Sequence, residues 1–239
     1  TYVLSRDNKS KTSVLGKLKT RERRSYIDDA EIKVQRSDLT EIELGGNYRR
    51  YISSSVLDIT ASVHQGLEWL GSDSVDPNAS KNTAQPNYRF YAVNGSINYP
   101  FSVFGKSVNY IGQVAIQYAE TEIYSLDWFS NGGRYTIRGF SSSEAVSGGS
   151  GWRIKNDLSL PVFASQKLSI NSYFGLDLGA IHGDNKAESD DTLMGVSLGF
   201  KGSLSNVNYD FFVSTPFLEY GPYADSSSYQ VHGMLSAQF

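Results

Sequence analysis

The chain has no cysteine among its 239 residues. That excludes disulfides, thiolate catalysis and cysteine-held metals together, and suits a protein that folds in an exported compartment without oxidation. Nor does any stretch approach the ~18 consecutive apolar residues that a spanning helix requires. A membrane crossing must therefore be made by strands that hide one apolar face through alternation. Excess charge of either sign is also missing. The 22 Lys and Arg against 25 Asp and Glu leave a formal −3, the signs are interspersed, and no basic patch invites nucleic acid. Thr1 opens no basic and then apolar leader, so a signal peptide is expected upstream or already removed. The mean hydropathy of −0.35 fits a soluble β protein and a membrane barrel equally.

What the chain does have is rings and a period of two. Tyr and Phe contribute 16 and 12 residues although hydrophobic residues make up only 39%, a balance that favours strands over buried helices. Near the end, Tyr229, Val231, Gly233, Leu235, Ala237 and Phe239 alternate with Gln230, His232, Met234, Ser236 and Gln238. One face is apolar and the other polar or small, which is what a barrel wall needs between lipid and water. Met194, Val196, Leu198 and Phe200 repeat the pattern, as do Tyr209, Phe211, Val213 and Phe217. The even texture gives no boundary between domains, so residues 1–239 are read as one unit.

Strands are expected near 1–7, 11–26, 38–50, 54–67, 88–103, 106–121, 151–162, 167–181, 191–204, 206–219 and 228–239. The connections alternate between tight (near 8–10, 51–53, 104–105, 163–166 and 205) and long (27–37, 68–87, 122–150, 182–190 and 220–227). Short turns on one rim and long loops on the other are the pattern of an outer-membrane barrel, periplasmic and extracellular respectively. About eleven strands do not make the even number that such barrels favour, so the chain is expected to be the later part of a larger all-β, antiparallel, transmembrane barrel. Alone it would leave an open edge in lipid. The soluble alternative is a secreted β-helix or sandwich, which would leave membranes without detergent.

The longest loop, 122–150, carries Gly132-Gly133-Arg134-Tyr135-Thr136-Ile137-Arg138-Gly139-Phe140, and the next strand opens with Gly151-Trp152-Arg153-Ile154-Lys155-Asn156-Asp157. Further on stands Phe174-Gly175-Leu176-Asp177-Leu178-Gly179. These segments resemble the loop signature, its GW continuation and the F-x-x-D-x-G strand motif of the two-partner secretion transporters, relatives of the insertases of the outer membrane. Lys155 stands where the family commonly has Arg. The resemblance implies a sixteen-stranded barrel preceded by a plug helix and two POTRA domains, none of which falls in this chain apart from later strands. It also implies a pore that passes an unfolded exoprotein from periplasm to cell surface, with no cofactor, metal or covalent chemistry. The implied partners are that exoprotein, the lipid bilayer and the outer-membrane assembly machinery, for which Phe239 resembles the terminal signal.

Parity alone places the second motif. Leu168, Ile170, Phe174, Leu176 and Leu178 share one face and must meet lipid, so Lys167, Asn171, Tyr173 and Asp177 face the lumen. A carboxylate at mid-strand is tolerable there if a cation meets it. Roughly 16 residues from Glu122 to Arg138 reach up to ~50 Å, more than the ~30 Å hydrocarbon core, so the loop can fold back inside. Arginine suits the contact because its planar fork pairs two oxygens and stays charged when dry. In the resembled family the matching Arg and Asp meet in the lumen, a role that falls here on Arg138 and Asp177. Gly139 is expected to turn the tip, with Tyr135 and Phe140 wedged on the inner wall.

Other residues carry plainer readings. Arg153, Lys155 and Asp157 face inward and need only line a wet lumen. His64, His182 and His232 are too scattered for a metal or catalytic set. Ser141, Ser142, Ser143 and the run from Ser147 to Gly151 read as a flexible hinge, and Asn78-Ala79-Ser80 as a polar loop. Trp128 and Phe129 are either anchors or packing. Two rivals to export remain: an insertase of the same superfamily, expected to have more POTRA domains, and a diffusion porin, which would not need Arg138.

Overall fold

The computed structural model describes residues 1–32, 36–182, 191–220 and 229–238. Eleven strands form one sheet in which each pairs with its neighbours in chain order, all antiparallel. They are β1 (Tyr2–Arg6), β2 (Ser10–Arg23), β5 (Ser37–Ile52), β6 (Ser55–Leu67), β7 (Arg89–Val103), β8 (Lys106–Ala119), β11 (Ser150–Ala164), β12 (Leu168–His182), β13 (Asp191–Leu204), β14 (Val207–Tyr220) and β15 (Gln230–Ala237). Two small hairpins complete the set: β3 (Tyr26–Ile27) with β4 (Ala30–Glu31), and β9 (Phe129–Asn131) with β10 (Val146–Gly148). The eleven expected strands are all present, within a few residues of their expected limits.

Nine of the strands run 13 to 16 residues. That exceeds the roughly 9–11 residues needed to cross a bilayer at a tilt, so the wall stands clear of the hydrocarbon. Among the described residues β1 and β15 do not pair with each other, and the sheet is an open meander. No helix is long and apolar enough to cross a membrane, which says nothing against crossing by strands.

The two faces differ sharply. Leu18, Leu44, Ile116, Ile154, Phe174, Leu198, Phe200, Phe211, Val213 and Val231 lie on one face and stay exposed. An apolar surface this continuous is stable only against another apolar phase, which for a barrel wall is lipid. The other face holds charges, amides and small residues, and on it the long connection 120–149 is packed. Phe174 points away from that connection while Tyr173 and Asp177 are buried beneath it, as strand parity requires.

The rims also sort as expected. Tight turns join β1 to β2, β5 to β6, β7 to β8, β11 to β12 and β13 to β14. Ser53, Phe104 and Ser205 adopt positive φ at three of them, the twist that a two-residue hairpin connection demands. At the first, Asp7 Oδ1 accepts from the backbone N–H groups of Lys9 and Ser10, both at 2.6 Å. The expected long loops at 182–190 and 220–227 fall largely outside the described residues, as does Phe239.

Candidate functional site

The connection 120–149 crosses the polar face and is held by a small core of its own. Phe129, Ile137, Phe140 and Val146 from the connection pack with Ala115, Ile181 and Leu193 from the wall. Ile137 and Phe140 are fully buried, so the apolar letters of the motif are anchors that pull the polar ones into register. Gly132 takes φ +104 and Gly139 φ +105, values that a side chain rarely allows, and Gly133 has φ +102. Between them Thr136 closes a turn: its hydroxyl donates to the Gly132 carbonyl at 2.8 Å and its N–H to that of Gly133 at 3.1 Å.

Arg138 emerges from that turn into an acidic clamp. Its Nε donates to Asp177 Oδ2 at 2.6 Å, its Nη2 to Asp177 Oδ1 at 2.7 Å, and its own backbone N–H to Oδ2 at 3.0 Å. One carboxylate thus receives three donors from one residue. On the facing strand Asp157 Oδ1 lies 2.7 Å from Nη2. The ring of Tyr173 lies 6.0 Å from the guanidinium centre, and its hydroxyl donates to Asp210 at 2.8 Å. Side chains of Arg138 and Asp177 are only 5% and 1% exposed. Burial works against the charged guanidinium, but the hydrogen bonds to Asp177 and the nearby charge of Asp157 outweigh it and raise its pKa above the ordinary arginine value.

The clamp also needs empty space, and the wall provides it as glycine. A side chain at Gly175 would run into the Arg138 guanidinium and the Ser197 hydroxyl, and one at Gly195 would run into the Arg138 carbonyl. Two adjacent strands thereby form a notch whose shape is the backbone and head group of one arginine. Gly179, the last letter of the F-x-x-D-x-G motif, serves the neighbouring contact: there Asn131 Nδ2 donates to the carbonyls of Trp152 at 3.1 Å and Ala180 at 3.3 Å.

Several expectations change. Tyr135 does not wedge against the wall; it is 72% exposed, with the Arg134 guanidinium 4.8 Å from its ring centre. Phe140 does seat against the wall as expected, joined there by Ile137 and Phe129 rather than by Tyr135. The residues from Ser141 onward are not a loose hinge. Ser141 caps a short 3-10 turn with Glu144 in a capping box, and Val146 to Gly148 pair with Phe129 to Asn131. Arg153, Lys155 and Asp157 do more than line a lumen. Arg153 donates to the Ser130 carbonyl at 3.3 Å and lies over Phe129, Lys155 donates to the Tyr135 carbonyl at 2.9 Å, and Asp157 completes the clamp. The signal for Asp157 was available, since it shares parity with Lys155, which pairs across the ladder with Asp177.

Away from the clamp, His64 Nδ1 lies 3.0 Å from Glu41. Glu41, Glu43 and His64 bring their ligand atoms within 4.8 Å of one another. Lys17, Lys19 and Arg21 neutralise these two carboxylates directly, so the group is an ion-pair network on the wall.

Comparison with known proteins decides the kinship. The model of the haemolysin secretion/activation protein ShlB/FhaC/HecB family matches residues 1–202. The chain belongs to this family. Outer membrane transporter CdiB-2 of Burkholderia pseudomallei (strain 1026b) is 31% identical over 217 residues, 87% of this chain and 36% of that protein. Hemolysin transporter protein HpmB of Proteus mirabilis is 28% identical over 189 residues, 77% of this chain and 33% of that protein. CdiB from Acinetobacter baumannii superposes with a TM-score of 0.82 at 26% identity, covering 98% of this chain and 39% of that one. CdiB from Escherichia coli shares the fold, with a TM-score of 0.88 at 23% identity, over 98% of this chain and 43% of that one. The chain therefore spans about a third of the length of these curated relatives.

Proposed function

We propose that this chain is the later part of a sixteen-stranded outer-membrane barrel that passes an unfolded partner exoprotein from the periplasm to the cell surface. The observation that carries the reading is the Arg138 clamp: a charged loop residue seated dry between Asp177 and Asp157 on the polar face of a sheet whose other face is apolar. A diffusion porin has no use for so specific a seat. Membership of a haemolysin secretion family supports export over passive diffusion.

In this reading the wall supplies the conduit, domains upstream capture the exoprotein, and the clamp holds the loop in the conformation that supports transport. Conduction of a polypeptide needs binding and release, not bond-making, so the chain works without a nucleotide, a metal or a catalytic residue. Phe239, beyond the described residues, would present the terminal signal to the assembly machinery, and lipid would cover the face that carries Phe174 and Leu198.

The test is secretion by the complete transporter carrying Arg138→Ala, Asp177→Ala or both. Each single variant, inserted at normal level, is expected to lose most exoprotein release, and the double variant to be little worse than either, because the pair acts as a unit. Normal release by both single variants would falsify the assignment.

A further inference from the structure

The loop is fastened a second time, near its start and on a distant part of the wall. Asp127 lies in the 3-10 turn Ser125–Asp127. Its two carboxylate oxygens accept from Nη1 and Nη2 of Arg21 on β2, both at 2.7 Å. The Asp127 carbonyl accepts from Gln117 Nε2 on β8 at 2.8 Å. Beside it Ile123 is buried against Tyr88 and Phe90. The stem of the loop is thus tied toward β2 and β8, while its tip is tied to β11, β12 and β13. Between the two ties the chain lies across the lumenal face, where a passing polypeptide must go.

The two ties differ in what happens when they open. Undocking Arg138 would take three donors from Asp177, which is only 1% exposed, and would carry the guanidinium away from Asp157 as well. At the stem, Arg21 Nη2 also donates to the Tyr88 hydroxyl at 2.7 Å and to Glu41 at 3.1 Å. Glu41 is itself fixed by Tyr88 at 2.8 Å and Lys19 at 3.0 Å. When Asp127 leaves, Arg21 keeps a carboxylate, and Asp127, only 12% exposed in place, moves toward water. The wall side of this contact is a standing receptor.

We propose that Arg21 and Asp127 are a positioning pair, a releasable latch that holds the stem of the loop across the lumen at rest and opens while exoprotein passes, the Arg138 clamp staying shut. The proposal rests on the reading of the chain as an exporter. A charge swap would test it poorly, since a carboxylate at position 21 would face Glu41.

Cross-linking tests it directly, because this chain holds no cysteine of its own. The complete transporter, freed of any other thiol, would carry Arg21→Cys with Asp127→Cys and be treated in intact cells with a short bifunctional thiol reagent whose bridge a reductant cleaves. Unlinked, the variant is expected to export exoprotein; linked, export should fall at least tenfold and return on reduction, while the two single-cysteine variants are unaffected. Export by the linked form would overturn the latch, and so would failure of the unlinked, normally inserted form. In planar bilayers Arg21→Ala should lengthen the open time of the pore, and an unchanged open time would count against the proposal. If the thiol-free parent exports nothing at all, the exporter reading fails, separately from the latch.

Discussion

The two ends of the connection 120–149 are both held by an arginine and an aspartate, yet in different surroundings. At the tip the arginine belongs to the loop and the wall supplies two carboxylates and a notch of glycines; the side chains are 5% and 1% exposed. At the stem the arginine belongs to the wall and the loop supplies one carboxylate; the side chains are 25% and 12% exposed. A dry pair is hard to break because each partner left behind is an uncompensated charge, costing about 3–5 kcal/mol. The stem pair is somewhat less buried, and Arg21 keeps Glu41 and the Tyr88 hydroxyl when Asp127 leaves, so opening it strands less charge. The same two residue types are thus held drier in one place than in the other, and the difference lies in access to water and in what else each partner touches.

The largest effect that would sharpen this comparison is expected from Arg138→Ala or Asp177→Ala. Each should destabilise the docked loop by about 3–5 kcal/mol, read as protease cleavage near Tyr135 and as loss of most secretion. Gly195→Ala and Gly175→Ala come next. They remove no charge, but the added methyl meets the Arg138 carbonyl or guanidinium, so the loop should unseat almost as fully by the same protease assay. If Gly195→Ala leaves cleavage unchanged, the notch is not part of the seat. Arg138→Lys should fall between, since it keeps the charge and loses the fork that makes the side-chain bonds to Asp177. Secretion retained at wild-type level would show that charge alone suffices. At the stem, Asp127→Asn should cost less than Arg138→Ala, since Arg21 keeps Glu41 and Tyr88, and leave secretion within severalfold of normal; an effect as large as that of Arg138→Ala would erase the distinction between the two ends. Tyr135→Ala should change loop seating least, since its ring is exposed and the Lys155 bond is to its backbone carbonyl.

Much of this was legible before any coordinates. The outward parity of Phe174, Leu198 and Val213 fixes the pairing frame, because a slip of one residue would turn every apolar side chain into the lumen. The same parity aims Asp177 inward, and the loop motif brings Arg138 to meet it 39 residues away. Where inference from the residues failed, the cause was local. Tyr135, two residues after Gly133, looks like an anchor until the turn closed by Thr136 is known, and serines 141 to 143 look loose until Glu144 is seen to close the cap.

By itself, then, the sequence determined the strands, their inward and outward faces and the sorting of short and long connections, since each follows from periodicity two; the partnership of Arg138 with Asp177 was implied by the family resemblance, with parity turning Asp177 inward. Only the tertiary structure decided that Asp157 joins the clamp, that Gly175 and Gly195 are its empty half, and that Arg21 reaches Asp127 across 106 residues. Those contacts depend on how far the wall curves and on the register of strands distant in the chain, and neither quantity is written in any local stretch of residues.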